Sequence, residues 1–189
     1  MELQHFVAKI HVDGALGLDP AKVVDVFHSW VAHQTIAGVV LIDVAELLHA
    51  PNGPGVVAVG VEADYALDHT DGIWGVLSRR KNILPGTNAD RVSEALASAA
   101  RISQRLQEAF PGALKLSATT FELIINDRAV APNTAATYAA AMPGLEATLR
   151  SVLGHGDFTF ERHDAEPRKR FGVTVKCEKP FDLAVLAAR

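Results

Sequence analysis

The residues best suited to chemistry are three carboxylates and one arginine in the central third of the chain: Asp43, Glu62, Asp64 and Arg80. Two carboxylates held close together repel each other, so that one pKa rises unless a cation lies between them. Such a cluster can act as acid and base, or it can bind a divalent cation. The arginine would bind an anionic group of a ligand.

Two consecutive hairpins would bring these side chains together. Residues 38–44 form an apolar run, residues 51–55 form a turn rich in Pro and Gly, and Val56–Asp68 alternates. A hairpin centred on that turn places Asp43 opposite Glu62, and cross-strand neighbours lie about 5 Å apart. The first hairpin therefore predicts a pair of neighbouring carboxylates.

A second hairpin would add the arginine. Its turn is predicted at Thr70–Gly72, and Ile73–Lys81 returns beside the alternating strand. Asp64 shares a face with Glu62, because alternate residues of a strand point the same way. The register leaves two partners open for each carboxylate: Arg79 or Arg80 opposite Glu62, and Leu77 or Ser78 opposite Asp64.

A competing interpretation gives this face no site. A charged sheet face is commonly exposed to solvent and carries cross-strand ion pairs that contribute little to stability. A slip of one residue in register would also move the predicted partners to opposite faces of the sheet.

A polar loop after a later strand supplies two further candidate ligand-binding residues, Asn126 and Arg128. Loops at strand ends often carry function, although ordinary turn chemistry explains the same residue types equally well. The basic turn 168–170 could bind phosphate, but three charges in a turn are usually solvated. Cys177 alternates with valines, so we expect it in the core and not as a nucleophile.

The remaining pattern alternates strands with helices. Strands are expected at Phe6–Val12, 114–126, 157–163 and 170–178, and helices from Asp19-Pro20 to about Thr35, from Thr87, Asn88 or Asp90 to Phe110, and from Asn133 or Thr134 to Leu153, the last split by Pro143. We therefore predict an α+β two-layer sandwich in the order β-α-β-β-β-α-β-α-β-β. Its sheet is mostly antiparallel, with the helices on one face.

One domain is expected for the whole chain, residues 1–189. Strand, helix and two strands follow one another near both ends, so the domain could consist of two βαββ-like halves, residues 1–81 and 114–178. A helix at residues 88–110 would join them. The match between the halves is one of element order and not of sequence.

The composition narrows the class of protein. Hydrophobic residues make up 49% of the 189, the mean hydropathy is +0.14, and the formal net charge is −4. A mildly acidic chain has no overall attraction for nucleic acid or anionic membranes. A single cysteine excludes an internal disulfide, and no basic region precedes an apolar core at the start, so we expect a soluble cytoplasmic protein.

The segment IDVAELLHAPNGPGVVAVGVEADYALDH, together with SRRK and INDRAVAPN, resembles a family of uncharacterised bacterial proteins of about this length. The resemblance covers the central third and one later loop. It implies a soluble bacterial domain, and it brings no activity, cofactor or catalytic residue.

Two hypotheses follow. In the first, the chain binds a small anionic molecule or a divalent cation through the carboxylate and arginine cluster, with Asn126 and Arg128 nearby. In the second, it is a non-catalytic homo-oligomeric or interaction module whose interface uses the apolar tail 181–188 and a sheet edge or face. The slightly high mean hydropathy favours the second hypothesis, and the in-register carboxylates favour the first. No reaction or cofactor follows from the sequence.

Overall fold

The computed structural model describes residues 2–164 and 166–189, in which eight strands and four helices form one α+β unit. The strands are β1 (Phe6–Val12), β2 (Leu41–Leu47), β3 (Gly55–Gly60), β4 (Ala63–Asp68), β5 (Gly75–Arg80), β6 (Leu116–Ile125), β7 (Phe158–Arg162) and β8 (Phe171–Cys177). The helices are α1 (Lys22–His33), α2 (Asn88–Ala109), α3 (Ala135–Leu153) and α4 (Leu183–Ala187). None of these helices is long and apolar enough to cross a membrane.

All eight strands belong to one antiparallel sheet in the order β2-β3-β4-β5-β1-β6-β8-β7. The predicted fold class, an α+β two-layer sandwich with a mostly antiparallel sheet, is confirmed. The element order differs in two places. The predicted strand Val56–Asp68 is two strands, because the chain turns at Val61 and Glu62, and the apolar tail contains α4.

The helices cover one face of the sheet. In β1, Phe6, Ala8 and Ile10 point to this face and pack in one core cluster with α2, α3, α4 and the facing residues of β6 and β8. A second cluster joins α1 to β3, β4 and the end of α2. Helix α2 thus contributes to both clusters. Its start is fixed by a capping box between Thr87 and Asp90, two of the residues predicted as caps.

Helix α3 is continuous, so the predicted split at Pro143 is wrong. Thr134 caps the helix, as predicted, and the helix runs through the proline to Leu153. Pro143 and Ala139 both lie on the exposed side of the helix. Water can therefore bond the Ala139 carbonyl that proline leaves without an N–H partner, and the helix tolerates the interruption.

Within residues 2–164 and 166–189, no α-helix packs on the opposite sheet face, which we call the open face. Its central row can be traced through the register of every strand pair: Ala45, Val57, Ala66, Leu77, Lys9, Glu122, Thr174 and Glu161. The first four residues form an apolar half and the last four a polar half. The change of character falls between Leu77 of β5 and Lys9 of β1, in the middle of the sheet.

Candidate ligand-binding site

Lys9 is the most deeply buried charge of the open face, with 2% of its side chain exposed. Its Nζ lies 2.7 Å from Asp68 Oδ2 and donates a hydrogen bond of 2.6 Å to the Ile73 carbonyl. To reach these partners the side chain crosses strand β5 above Gly75, which has no side chain to obstruct it. Burial of a charge is costly unless it is paired and hydrogen-bonded, and Lys9 meets both conditions.

Asp68 connects this lysine to the turn that follows β4. Its carboxylate accepts hydrogen bonds from the Thr70 backbone N–H at 3.0 Å and from the Thr70 hydroxyl at 2.8 Å. The 3-10 turn Thr70–Gly72 is thereby fixed over the centre of the open face. Lys9 and Asp68 therefore position the wall of a cavity and do not offer free charges to a ligand.

Glu122 is another buried carboxylate of the open face. Its Oε1 lies 2.6 Å from His11 Nε2, and its Oε2 lies 3.9 Å from His163 Nε2. Burial opposes ionisation of Glu122, but the hydrogen bond with His11 and the charge of Lys9 outweigh it, so that its pKa lies below the usual value. Glu122 is therefore an anion at neutral pH.

His163 lies beside this carboxylate and lines the cavity described next. Gly172 makes room for its ring, since a Cβ there would lie 2.6 Å from His163 Nδ1. His163 Nε2 is 3.0 Å from the Thr174 hydroxyl. Burial lowers the pKa of His163 although the charge of Glu122 opposes this effect, so the ring is neutral at pH 7. A neutral imidazole in a cavity wall can accept a proton from a bound molecule.

A cavity of about 760 Å³ opens above the polar half of the central row. We call it the larger cavity; Lys9, Glu122 and His163 belong to its wall. Arg162 of β7 also lines it, together with four basic residues outside the strands that we call the basic rim: Arg128, Arg168, Lys169 and Arg170. The size is typical of pockets that bind small organic molecules.

Arg170 differs from the other rim residues in being half-buried and without a partner. Its guanidinium forms no hydrogen bond or ion pair within residues 2–164 and 166–189. Burial lowers its pKa, and the charge of Arg79 adds to the effect, while Asp68 and Asp71 oppose it. An arginine stays charged in proteins. Arg170 is therefore a partly desolvated cation whose five donors are available.

A smaller cavity of about 270 Å³ adjoins the larger one over the apolar half of the row. Both cavities share the same four residues at their junction: Asp68, Thr70, Leu77 and Arg170. Arg170 therefore faces both spaces.

The structure separates the two carboxylates predicted to be opposite each other. Asp43 is exposed on edge strand β2 and pairs with Val59. Glu62 lies in the turn between β3 and β4, with 61% of its side chain exposed, and its Oε2 lies 3.0 Å from Arg80 Nη2. The predicted pairing of Asp43 with Glu62 is wrong, because the chain reverses at Val61 and Glu62 instead of continuing as one strand.

Asp64 and Arg80 do not meet either. Asp64 pairs with Arg79 in the ladder, and not with Leu77 or Ser78, and it lies on the open face. Burial opposes ionisation of Asp64, but its hydrogen bonds with Lys81 and Arg79 lower its pKa below the usual value. Arg80 pairs with Ala63, whose side chain belongs to the helix-side core, so Arg80 is on the other face.

The two predicted loop residues lie where the candidate site is. Asn126 and Arg128 are exposed residues in the wall of the larger cavity. The Arg128 Nη1 group donates a hydrogen bond of 2.8 Å to the Arg168 carbonyl, which joins the loop to the basic turn. The predicted polar loop and the basic turn 168–170 thus contribute to one cavity.

Sequence reasoning missed Lys9, Glu122 and His163 as a group. The signal was present in part, since the alternation of β1 places Lys9 and His11 on the face opposite Phe6 and Ile10. The register that puts Glu122 directly opposite Lys9 depends on β1 pairing with a strand more than 100 positions later in the chain. No local pattern specifies that pairing.

Comparison of the chain with protein-family models and with curated protein sequences gives no match. Among the described residues, no group of three or more His, Cys, Asp or Glu side chains is arranged to hold a metal ion. The geometry of the open face is therefore the basis on which a function can be proposed.

Proposed function

We propose that the protein binds a small anionic molecule in the larger cavity, with Arg170 as the anion-binding group. One observation carries the proposal: Arg170 is half-buried at the junction of two cavities and has no partner among the described residues. A partly desolvated arginine without a counter-ion is costly for the free protein, and an anionic ligand would remove that cost.

The surrounding charges support an anion over a cation. Lys9 neutralises Asp68, and Arg79 together with Lys81 neutralises Asp64, so these carboxylates are already paired. Asp71, Asp164 and Glu161 also line the larger cavity, but Lys169 pairs with the first two and Lys176 with the third. The three arginines of the basic rim form no ion pair with a described residue, whereas no described group of acidic and histidine side chains could hold a metal ion. The sequence predicted either a small anionic molecule or a divalent cation as the ligand. We therefore propose only the anionic molecule.

A thermal-shift titration with inorganic phosphate and with acetate tests the proposal. Ligand that binds only the folded chain raises Tm with dose, because mass action favours the folded state. We expect such a rise for the unmodified protein with at least one of the two anions. Arg170→Gln should weaken the apparent affinity by about tenfold or more, since a charge-assisted hydrogen bond is lost.

Two control variants test whether the rise in Tm comes from anion binding in the larger cavity. Arg105→Gln removes an exposed arginine on α2, away from the open face, and should leave the titration unchanged. The double substitution Glu62→Gln and Arg80→Ala should also leave it unchanged, because this pair lies outside the larger cavity. If neither anion raises Tm, or if the rise survives Arg170→Gln, the proposal fails.

A second candidate function, self-association, is favoured by a separate surface. Val40, Ile42 and Val61 are each more than half exposed and lie together where edge strand β2 begins, since the Val61 N–H bonds the Val40 carbonyl. An exposed apolar edge strand can pair with a second copy of itself. The apolar tail is a weaker candidate for an interface, because Phe181 and Leu186 pack in the chain's own core.

Light scattering tests this candidate. We expect a dimer whose dissociation constant rises strongly on Ile42→Lys, a charge placed on the edge. A monomer at every accessible concentration would contradict self-association and would leave the anion site untouched.

A further inference from the structure

The smaller cavity differs from the larger one in the residues that line it. Apolar side chains of the four neighbouring strands β2 to β5 form its floor, among them Val57, Val59, Ala66 and Leu77. Ligand pockets typically have about 300–1,000 Å³. At about 270 Å³ the smaller cavity has room for one part of a ligand, while the larger cavity has room for the rest.

The charges that border the smaller cavity are compensated within the protein, with one exception. Asp64 lies 2.6 Å from Arg79 and 2.8 Å from Lys81, and Asp68 lies 2.7 Å from Lys9. Among the charged residues described in that wall, Arg170 is the one whose side chain has no ion pair or hydrogen bond. One unpaired cation therefore stands at the mouth of an apolar space.

The sheet itself has the same division. Along the central row, Ala45, Val57, Ala66 and Leu77 lie under the smaller cavity, and the charged residues begin at Lys9. A ligand placed along this row would have its apolar end over β3 and β4 and its polar end over β1 and β6. Burial of apolar surface at one end would then add to the ion pair at the other.

We propose that the ligand is an amphipathic carboxylate, with its carboxylate on Arg170 and its apolar chain or ring in the smaller cavity. This inference rests on the proposed anion site and adds the class of ligand. The arginine provides donors in the planar arrangement that a carboxylate accepts in a bidentate manner. Val57, Val59 and Ala66 provide a surface with no polar group to satisfy, which suits a hydrocarbon.

Three probes separate the contribution of the ligand's carboxylate, its head, from that of its hydrocarbon chain, its tail. Their binding is measured in calorimetric or thermal-shift titrations. Hexanoate has both parts, acetate has only the head, and hexanamide has the tail without the charge. We expect hexanoate to bind at least tenfold more tightly than acetate, because each buried methylene contributes about 0.8 kcal/mol, or roughly fourfold. Hexanamide should bind at least tenfold more weakly than hexanoate.

Two substitutions assign these differences to the cavity. Ala66→Leu fills the smaller cavity and should reduce hexanoate to the affinity of acetate without changing acetate itself. Val57→Thr places a hydroxyl on the same floor at nearly constant volume and should act in the same direction, which keeps the test available if the larger side chain impairs folding. Arg170→Gln should weaken hexanoate and acetate by the same factor.

The outcomes distinguish the two proposals. If hexanoate and acetate bind equally well and both depend on Arg170, the amphipathic ligand is excluded and the anion site stands. If hexanamide matches hexanoate, the charge has no role and the anion site is excluded. If hexanoate binding survives both Ala66→Leu and Val57→Thr, the smaller cavity is not where the chain lies. If no probe binds, both proposals fall.

Discussion

Lys9 and Glu122 occupy directly opposed positions of β1 and β6, yet their charged ends turn away from each other. Lys9 reaches over β5 to Asp68, and Glu122 turns to His11. Lys9 thus belongs to an ion pair and Glu122 to a separate hydrogen-bonded pair, although the two are cross-strand neighbours. The first pair fixes the turn after β4, and the second lies at the wall of the larger cavity.

Removal of the Lys9 charge should destabilise the fold strongly. Lys9→Met keeps most of the side-chain volume but leaves Asp68 buried without a cation, and loss of one member of a buried pair costs about 3–5 kcal/mol. The matched control is Arg105→Met, which breaks an exposed pair with Glu108 and should cost less than about 1 kcal/mol. Urea unfolding of both variants measures the difference, and equal losses would contradict the assigned role of Lys9.

Gly75 should be energetically coupled to Lys9. A Cβ at Gly75 would lie 2.8 Å from both Cγ and Cε of Lys9, so Gly75→Ala must displace the lysine. We expect Gly75→Ala to cost about 1–3 kcal/mol of unfolding free energy in the natural chain. The cost should be smaller in the Lys9→Met background, whose side chain lacks the Nζ group and can move away.

A double-mutant cycle isolates this coupling. The Cβ would also lie 2.7 Å from the Ile10 carbonyl oxygen, but that contact exists in both backgrounds and cancels in the cycle. Contacting residues commonly show interaction energies of about 0.5–3 kcal/mol. Strict additivity of the two substitutions would show that Lys9 does not cross Gly75.

His163 should make stability depend on pH in the range just below neutrality. Burial lowers the pKa of His163 below the 6.5 of the unfolded chain, so protons bind the unfolded chain preferentially. The contribution of the neutral ring is therefore present above about pH 6.5 and is lost as the pH falls through the lowered pKa. His163→Gln should flatten this part of the stability profile.

The matched control for this profile is His28→Gln, since His28 is exposed on α1. The profile is best recorded above about pH 5, because ordinary carboxylates begin to titrate below it. The folded-state pKa of Glu122 is lowered, so its own contribution is lost only in that more acidic range. If His28→Gln flattens the profile as much as His163→Gln does, burial of His163 is not the cause.

Cys177 should be unreactive in the folded chain. It is buried in the core, and burial raises its pKa to about 11, so very little thiolate is present at pH 8. We expect slow reaction with Ellman's reagent until the chain is unfolded in urea. A cysteine introduced at exposed Ser29 in a Cys177→Ala background should react rapidly, and fast labelling of folded Cys177 itself would be the contrary result.

The sequence predicts the structural features that depend on neighbouring residues better than those that depend on contacts between distant parts of the chain. The strand Phe6–Val12 and the start of α2, for which Thr87, Asn88 or Asp90 was predicted as the cap, follow from local patterns. The structure confirms both and has Thr87 as the N-cap. The turn at Val61 and Glu62 had one local indication, Gly60, whose Cβ would lie 2.3 Å from the Ala63 carbonyl oxygen. A glycine inside an alternating run can mark such a close backbone approach.

Most of the candidate site could not be predicted from local patterns. The pairing of Lys9 with Asp68 and the place of Arg170 between two cavities depend on contacts between distant parts of the chain. The missed turn moved Glu62 out of the strand. In the second hairpin Asp64 pairs with Arg79 and not with Leu77 or Ser78, and this shift in register places Asp64 and Arg80 on opposite faces, because side chains alternate with a period of two. Asn126 and Arg128 were placed correctly beside a cavity because a strand end locates a loop without knowledge of register.

Helix α3 should become more stable when its helix-breaking residues are replaced. Pro143→Ala restores the N–H that can bond the Ala139 carbonyl, and proline in a helix interior is about 3 kcal/mol less favourable than alanine. Gly144→Ala should add about 1 kcal/mol, since no heavy atom lies within 4 Å of the new Cβ. Both changes should raise the urea midpoint and Tm.

The same helix offers a control of opposite sign. Gly154 ends α3 with φ of +75°, a conformation that an alanine adopts only with strain, and the space around its Cβ is equally free. Gly154→Ala should therefore lower stability by about 1 kcal/mol, while Gly144→Ala raises it. Because both positions receive the same methyl group in open space, the difference in sign isolates backbone conformation as the cause. If Pro143→Ala and Gly144→Ala both destabilise the chain, a break in α3 at these residues, and not a continuous helix, is the native arrangement.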